Sequence, residues 1–133
     1  MREILFRGKR VDNGEWVEGG FLPSLNGKKC YVGNMFECYE VIPETVGQYT
    51  GLTDNGRKIW EGDIVEGNSE YFTYSHPYGT IVYDSGEFLI AFDEAFEDIE
   101  NLGAWANDIE VIGNIYDNPE LLNGEREREV HNG

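Results

Sequence analysis

The sequence predicts a mainly β fold, with N-terminal β-hairpins, a later SH3-like small barrel and one short C-terminal helical turn. Three observations lead to this prediction. Four turns of the Asn-Gly type lie between apolar runs within the first 86 residues. The runs between these turns are short and rich in β-branched and aromatic residues, which favour strands. Apolar side chains seldom recur at the three- and four-residue spacing that is typical of a helix.

Each predicted hairpin is centred on a turn that needs positive φ at its central residues, which Asn-Gly and related pairs adopt at little cost. The first two turns, at residues 12–14 and 26–27, place two hairpins at the N-terminal end. The third turn lies at 54–56 and the fourth at 84–86. We therefore expect strand–turn–strand units in succession along the chain.

The later strands carry apolar side chains on both faces. In residues 88–92, the sequence FLIAF puts apolar groups at every position, and residues 109–116 do so at most positions. A strand with one face in water would alternate apolar and polar residues, so these strands favour a closed or sandwiched sheet. With a short strand at 63–66, a variable loop and a final strand, the pattern resembles an SH3-like barrel.

Helical signals are limited to two segments. Residues 93–101 form one candidate, although their acidic side chains suit the N-terminus of a helix and not its C-terminus. At residues 118–122, Asn118 can cap a helical turn and Pro119 can occupy its first position. We expect a single β domain over residues 1–122, with a subdomain seam near 43–45, and a disordered tail over 123–133.

The net charge of −16 is unevenly distributed. Residues 1–58 hold eight basic and eight acidic side chains, whereas residues 59–125 hold sixteen Asp and Glu and no Lys or Arg. Direct binding to a nucleic-acid backbone is not expected, because phosphate contacts need clustered Lys and Arg. The cationic N-terminus, from Arg2 to Arg10, is suited to dock on an acidic surface. A homo-oligomer is therefore one hypothesis.

The sequence predicts a cytoplasmic protein without a membrane anchor. No apolar run approaches the roughly 18 residues that a membrane-spanning helix needs. The first residues mix charges with apolar side chains, and no apolar signal-peptide core follows. Cys30 and Cys38 are expected to be small, half-buried side chains in neighbouring strands, and whether they are close in space is left open.

No catalytic residue, cofactor site or metal site is predicted. Acidic pairs such as Glu61 and Asp63 are expected by chance in so acidic a segment and are interpreted as a solvated face. The cysteines and histidines lack the spacing of zinc ligands. The glycine patterns that cradle nucleotide phosphates are also missing from the sequence.

An aromatic segment supplies the candidate contact site. Four aromatic residues lie close together in sequence, in a predicted loop or hairpin: Tyr71, Phe72, Tyr74 and Tyr78. One interpretation is that they cap the core. The other is an exposed patch for a protein partner, because Tyr and Phe are frequent anchors of interfaces.

Three motifs carry a family resemblance. The first comprises residues 6–9 (FRGK) and 14–19 (GEWVEG), the second 46–54 (VGQYTGLTD) and 56–65 (GRKIWEGDIV), and the third 110–122 (EVIGNIYDNPELL). Together and in this order they resemble the YopX family of phage and prophage proteins. The resemblance implies a mainly β fold and an intracellular life in the bacterial host. It assigns no activity and no catalytic residue.

The sequence therefore favours an accessory protein of a phage or prophage that acts by protein–protein contact, without catalysis. The first alternative is an acidic nucleic-acid mimic that blocks a host DNA-binding protein. A weaker alternative is a carboxylate- or metal-dependent enzyme, for which carboxylates would have to converge in a pocket.

Overall fold

The computed structural model describes residues 4–24, 27–67, 78–92, 99–105 and 108–122. The chain forms two compact units, residues 1–51 and 52–133. Each unit has an apolar core of its own. The fold is mainly β and built from antiparallel strand pairs, as the sequence predicted.

The first unit is a meander of hairpins, which confirms the predicted N-terminal hairpins. Neighbouring strands pair in the order β4-β3-β2-β1-β5, and the pairs within the unit are antiparallel. Its elements are β1 (Phe6–Lys9), β2 (Trp16–Pro23), β3 (Cys30–Gly33), β4 (Cys38–Val41), a 3₁₀ turn (Pro43–Thr45) and the first part of β5 (Gly47–Asp54).

The sheet of the first unit curls, so that the end of β4 returns to the end of β1. The N–H of Val11 donates to the carbonyl of Glu40 at 3.0 Å, and the N–H of Ile42 donates to the carbonyl of Lys9 at 2.8 Å. The curl encloses a small apolar core formed by Cys30, Val32 and Val41, with Val17 and Val46 packed against it.

The 3₁₀ turn belongs to the first unit and does not separate two units. The Thr45 hydroxyl accepts a hydrogen bond from the Lys9 N–H at 2.9 Å and donates one to the Ile42 carbonyl at 2.6 Å. These bonds tie the turn to β1. The boundary between the units falls after Gly51, within β5, later in the chain than the seam that the sequence suggested near 43–45.

The second unit begins with the end of β5, which forms a hairpin with the next strand. A five-stranded sheet follows, with the order β10-β9-β8-β7-β11. Its elements are β6 (Arg57–Trp60), β7 (Asp63–Gly67), β8 (Tyr78–Asp84), β9 (Glu87–Ala91), β10 (Ile99–Asn101), α1 (Leu102–Trp105) and β11 (Ile109–Asn114).

Two turns of the second unit have the backbone that the sequence predicted. Asn55 and Gly56 have φ of 49° and 87°, and Ser85 and Gly86 have φ of 51° and 86°. Positive φ at both central residues matches the right-handed twist of the flanking strands. In the first unit, Gly27 has φ of 70° in the predicted turn at 26–27.

The core of the second unit is larger. It contains Ile59, Val65, Ile81, Phe88, Ile90, Phe92, Leu102, Ile109 and Val111, with Leu52 packed against it. In the part of the chain that the structure describes, β10 and β11 are the two ends of the strand order, and no pairing joins them into a closed barrel. Closure into an SH3-like barrel therefore stays a prediction.

The helical predictions had mixed outcomes. Residues 99–101, expected to end a helix, form β10 instead, because they pair with β9, with Ile99 opposite Ala91. Residues 93–98 lie outside the described part. The C-terminal helical turn is confirmed, since the Leu121 N–H donates to the Asn118 carbonyl at 3.1 Å. Among the described residues, no helix has the length and apolar character to cross a membrane.

Candidate protein-contact site

Polar residues of the second and third sequence motifs meet at strand β11. The carboxylate of Asp54 accepts a hydrogen bond from the Val111 N–H at 3.0 Å. The guanidinium of Arg57 donates one to the Val111 carbonyl at 2.9 Å. Asp54 and Arg57 flank the Asn55-Gly56 turn. Their side chains bond the N–H and the carbonyl of one residue of β11, as the backbone of a neighbouring strand would. Their role in the described structure is to support the fold.

The Glu61–Asp63 pair is also part of the architecture. Asp63 is buried, and its carboxylate accepts the Trp60 N–H at 2.8 Å. Gly62 has φ of 93°, and a Cβ there would lie 2.9 Å from the ring of Tyr116. The turn therefore needs glycine for two reasons, its backbone conformation and the close approach of an aromatic ring. The prediction of a solvated pair was wrong for Asp63.

The third motif ends in a hydrogen-bonded turn. The side-chain oxygen of Asn114 accepts from the N–H groups of Tyr116 and Asp117 at 3.0 and 2.9 Å. The side-chain oxygen of Asn118 accepts the Asn114 N–H at 3.2 Å. Side-chain amides that bond local backbone in this way stabilise turns. Within the described ranges, no group of three or more His, Cys, Asp or Glu is placed to hold a metal ion.

The two cysteines are free thiols at opposite ends of one hairpin. Cys30 lies opposite Val41, and Cys38 lies opposite Gly33, so the two side chains are separated along the strands and do not face each other. Cys30 is buried and donates weakly to the Val41 carbonyl at 3.7 Å. Burial raises the pKa of the Cys30 thiol, with smaller contributions from nearby carboxylates. Cys38 is exposed.

Exposed apolar side chains are concentrated in the first unit. Of the eight large apolar residues that are exposed in the described structure, seven belong to residues 1–51, and the eighth is Tyr83. The seven are Ile4, Val11, Phe21, Leu22, Met35, Phe36 and Ile42. The first unit has six basic and seven acidic residues, so it is nearly neutral, whereas the second unit has four basic and nineteen acidic residues.

The most exposed of these side chains lie together at the turn between β3 and β4. Met35 is 89% exposed and Phe36 is 92% exposed. The side-chain oxygen of Asn34 accepts the N–H groups of Phe36 and Glu37 at 2.8 and 2.9 Å, and the Asn34 N–H donates to the Glu37 carbonyl at 2.9 Å. These bonds order the turn while its two apolar side chains point to solvent. We call residues 34–37 the apolar tip.

A polar network lies beside the apolar tip. The Tyr39 hydroxyl donates to the Glu37 carboxylate, and the Arg10 guanidinium lies 4.1 Å from the centre of the Tyr39 ring. Arg10 also makes an exposed ion pair with Asp12 at 2.6 Å. That hydrogen-bonded pair lowers the pKa of the Asp12 carboxyl and raises the pKa of Arg10. The tip is thus an apolar pair with a polar rim, the usual arrangement of an interface.

The aromatic patch predicted from the sequence falls largely outside the described residues. Tyr71, Phe72 and Tyr74 are among the residues that the structure does not describe. Tyr78 is half-buried at the start of β8 and lies opposite Glu66. The patch therefore stays a prediction. The apolar tip was missed, although adjacent Met and Phe after the turn-forming Asn34 were a signal for it.

The acidic second unit carries like charges opposite one another. Glu66 of β7 is the direct neighbour of Glu110 of β11, and both side chains are exposed. Asp84 and Glu87 face each other at the end of the β8–β9 hairpin. Directly opposed like charges destabilise a sheet, so these pairs make a locally dense negative surface at some cost in stability.

Comparison with known proteins gives a family and a fold. The sequence model of a family described as "YopX protein" matches residues 5–123. The crystal structure of protein EF1440 from Enterococcus faecalis is similar, with 25% sequence identity and a TM-score of 0.53. The similarity covers 92% of this chain and 99% of that one. Among curated proteins, none matches the chain.

Proposed function

The chain belongs to the YopX family, and we propose that it is a phage or prophage accessory protein that acts by protein–protein contact in the cytoplasm of the bacterial host, without catalysis. One observation supports this proposal above the others. Seven of the eight exposed large apolar side chains lie in the nearly neutral first unit, and the two most exposed form the apolar tip.

The apolar tip has the properties of an interface anchor. Burying a Met or Phe side chain against a partner contributes roughly 1.5–3 kcal/mol, so two adjacent ones supply a large share of a binding free energy. The hydrogen bonds from Asn34 order the turn before binding. Less conformational entropy is therefore lost when a partner binds.

The second unit suits a different task. Its excess of carboxylates keeps the protein soluble and repels nucleic-acid backbones and anionic surfaces. A protein that exposes apolar side chains on one unit needs such a safeguard against non-specific association. The division of charge between the units therefore supports selective contact through the first unit.

Affinity capture from a lysate of the bacterial host tests the proposal. We compare the wild type with the double variant Met35→Ser, Phe36→Ser, and with Val11→Ser, which removes an exposed apolar side chain from the β1–β2 turn. We expect the wild type and Val11→Ser to capture the same protein and the double variant to lose it. Equal capture by all three, or turnover of a substrate that depends on one side chain, would contradict the proposal.

A second candidate function is mimicry of nucleic acid, supported by the Glu66–Glu110 pair. An array of carboxylates held on a sheet can occupy the basic groove of a DNA-binding protein. In that case, capture would select DNA-binding proteins, weaken steeply as salt is raised, and be reduced by the double variant Glu66→Gln, Glu110→Gln. Capture through the apolar tip would change little with either treatment.

A further inference from the structure

The same tripeptide, Asp-Asn-Gly, occurs in two turns of the described structure, at residues 12–14 and 54–56. An Asn side chain loses its amide spontaneously fastest where glycine follows, because glycine has no side chain to hinder the next backbone nitrogen. Since the tripeptides are identical, a difference in rate between the two turns reports on the fold. We propose that Asn55 is a site of spontaneous deamidation in the native protein and that the fold protects Asn13.

The reaction needs water and no enzyme. The backbone nitrogen of Gly56 attacks the side-chain carbonyl carbon of Asn55 and forms a cyclic imide. The bond from that carbon to the side-chain nitrogen breaks, and ammonia leaves with the proton from the Gly56 nitrogen. Water then opens the imide on either side, which gives aspartate or isoaspartate at position 55. The backbone nitrogen and the side-chain carbonyl must therefore both be free to react.

The Asn55-Gly56 turn leaves these two groups open. Both residues are exposed, and a Cβ on Gly56 would meet nothing within 4 Å. In the described structure, the Gly56 N–H donates no hydrogen bond. The side-chain nitrogen of Asn55 makes only a long, exposed contact of 3.3 Å with the Asp54 carboxylate. The reaction can therefore start from the native turn without breaking a hydrogen bond of the attacking nitrogen.

The Asn13-Gly14 turn holds the corresponding groups in hydrogen bonds. The Gly14 N–H donates to the Arg10 carbonyl at 2.9 Å. The side-chain oxygen of Asn13 accepts the Glu15 N–H at 2.9 Å, and its side-chain nitrogen donates to the Glu15 carboxylate at 3.4 Å. The turn must open before the nitrogen can attack. Breaking hydrogen bonds of ordinary net strength slows such a reaction by about tenfold or more.

Deamidation of Asn55 changes a turn that supports strand β11. Isoaspartate places a former side-chain methylene in the main chain, so the turn becomes longer and no longer matches the twist of its strands. Either product also adds a carboxylate beside Asp54. Asp54 and Arg57 bond the N–H and the carbonyl of Val111. The modification therefore loosens the edge of β11 and destabilises the second unit.

Incubation of the full chain at neutral and mildly alkaline pH, folded and in urea, tests the proposal. Fragmentation of proteolytic peptides in a mass spectrometer assigns each deamidated Asn. In the folded chain, we expect Asn55 to be lost about tenfold faster than Asn13, or more. In urea the two sites should react at similar rates, because unfolding removes the hydrogen bonds that distinguish them.

Asn55→Gly is the control for the structural consequence. It removes the side-chain amide and keeps a residue that adopts positive φ without strain. The urea midpoint of the wild type should fall during incubation, in step with the loss of Asn55. The midpoint of Asn55→Gly should stay closer to its starting value, because the remaining Asn-Gly pairs are the same in both chains.

Equal rates at the two sites of the folded chain, faster loss of Asn13, or a preference for Asn55 that persists in urea would overturn the proposal. An equal fall of the midpoint in the wild type and in Asn55→Gly would refute the effect on β11. The site is separate from the apolar tip, so neither result bears on the proposed contact function.

Discussion

The backbone nitrogen of Val111 lies 3.0 Å from the carboxylate of Asp54, 57 residues earlier in the chain, and donates a hydrogen bond to it. Both residues belong to the second unit. The bond joins two sequence motifs that identify the family, and Arg57 completes the contact at the Val111 carbonyl. The role of these motif residues is structural, because their polar side chains bond the backbone at the edge of strand β11.

Replacing Asp54 with Ala leaves the Val111 N–H without its acceptor. We expect Asp54→Ala to lower the free energy of unfolding by about 1–3 kcal/mol, the usual cost of a partly buried donor left unsatisfied. Amide hydrogen exchange at Val111 should become faster, as measured by NMR. Glu110→Gln, which removes the repulsion between Glu110 and Glu66 at the neighbouring position, is the control and should not make that exchange faster. An unaltered rate in Asp54→Ala would show that the bond contributes nothing.

Gly62 and Gly56 provide a matched pair of glycines. Their φ values are 93° and 87°, but a Cβ at Gly62 meets the Tyr116 ring at 2.9 Å, while a Cβ at Gly56 meets nothing within 4 Å. Both substitutions by Ala should destabilise through backbone strain, by roughly 1 kcal/mol or more. Gly62→Ala should cost more, because the ring must move. Urea unfolding measures the difference, and equal losses would refute the steric argument.

The thiols should differ in reactivity, because Cys38 is exposed and Cys30 is buried. A thiol reagent should label one cysteine per native chain and two per unfolded chain, and reductant should not alter stability.

Burial raises the pKa of Cys30 in the folded state, so its stabilising contribution is complete below the unfolded thiol pKa of about 8.5. It is then lost as the pH rises through the folded pKa. Cys30→Ala should flatten that alkaline decline, measured by urea unfolding across the pH range.

The hairpins could be predicted because their signals are local. Asn55-Gly56 and Ser85-Gly86 adopt the positive φ values that the sequence suggested, and the flanking segments pair. The backbone conformation of such a turn is set by its two central residues, so the turn can be predicted from the sequence alone. The family resemblance was equally predictable, because its motifs are long and occur in order.

The remaining features depend on contacts that are distant in sequence. Residues 99–101 form a strand because β9 is available to pair with them, and the sequence of the segment does not show that. The seam near 43–45 was suggested because it separates two early hairpins from a later group of strands, but Thr45 bonds to Lys9, so the turn belongs to the first unit. The exposure of Met35 and Phe36 was missed because apolar residues in a sequence are usually assigned to the core, although the turn-forming Asn34 before them was a signal for it.

A photo-crosslinking amino acid at position 36, expressed in the bacterial host, tests the contact role of the apolar tip most directly. The same amino acid at position 11 is the control for an exposed site of the same unit. We predict a specific crosslink from position 36, to a second copy or to another protein, and none from position 11. Absence of a crosslink from position 36 in a folded protein, or the same products from both positions, would contradict the account.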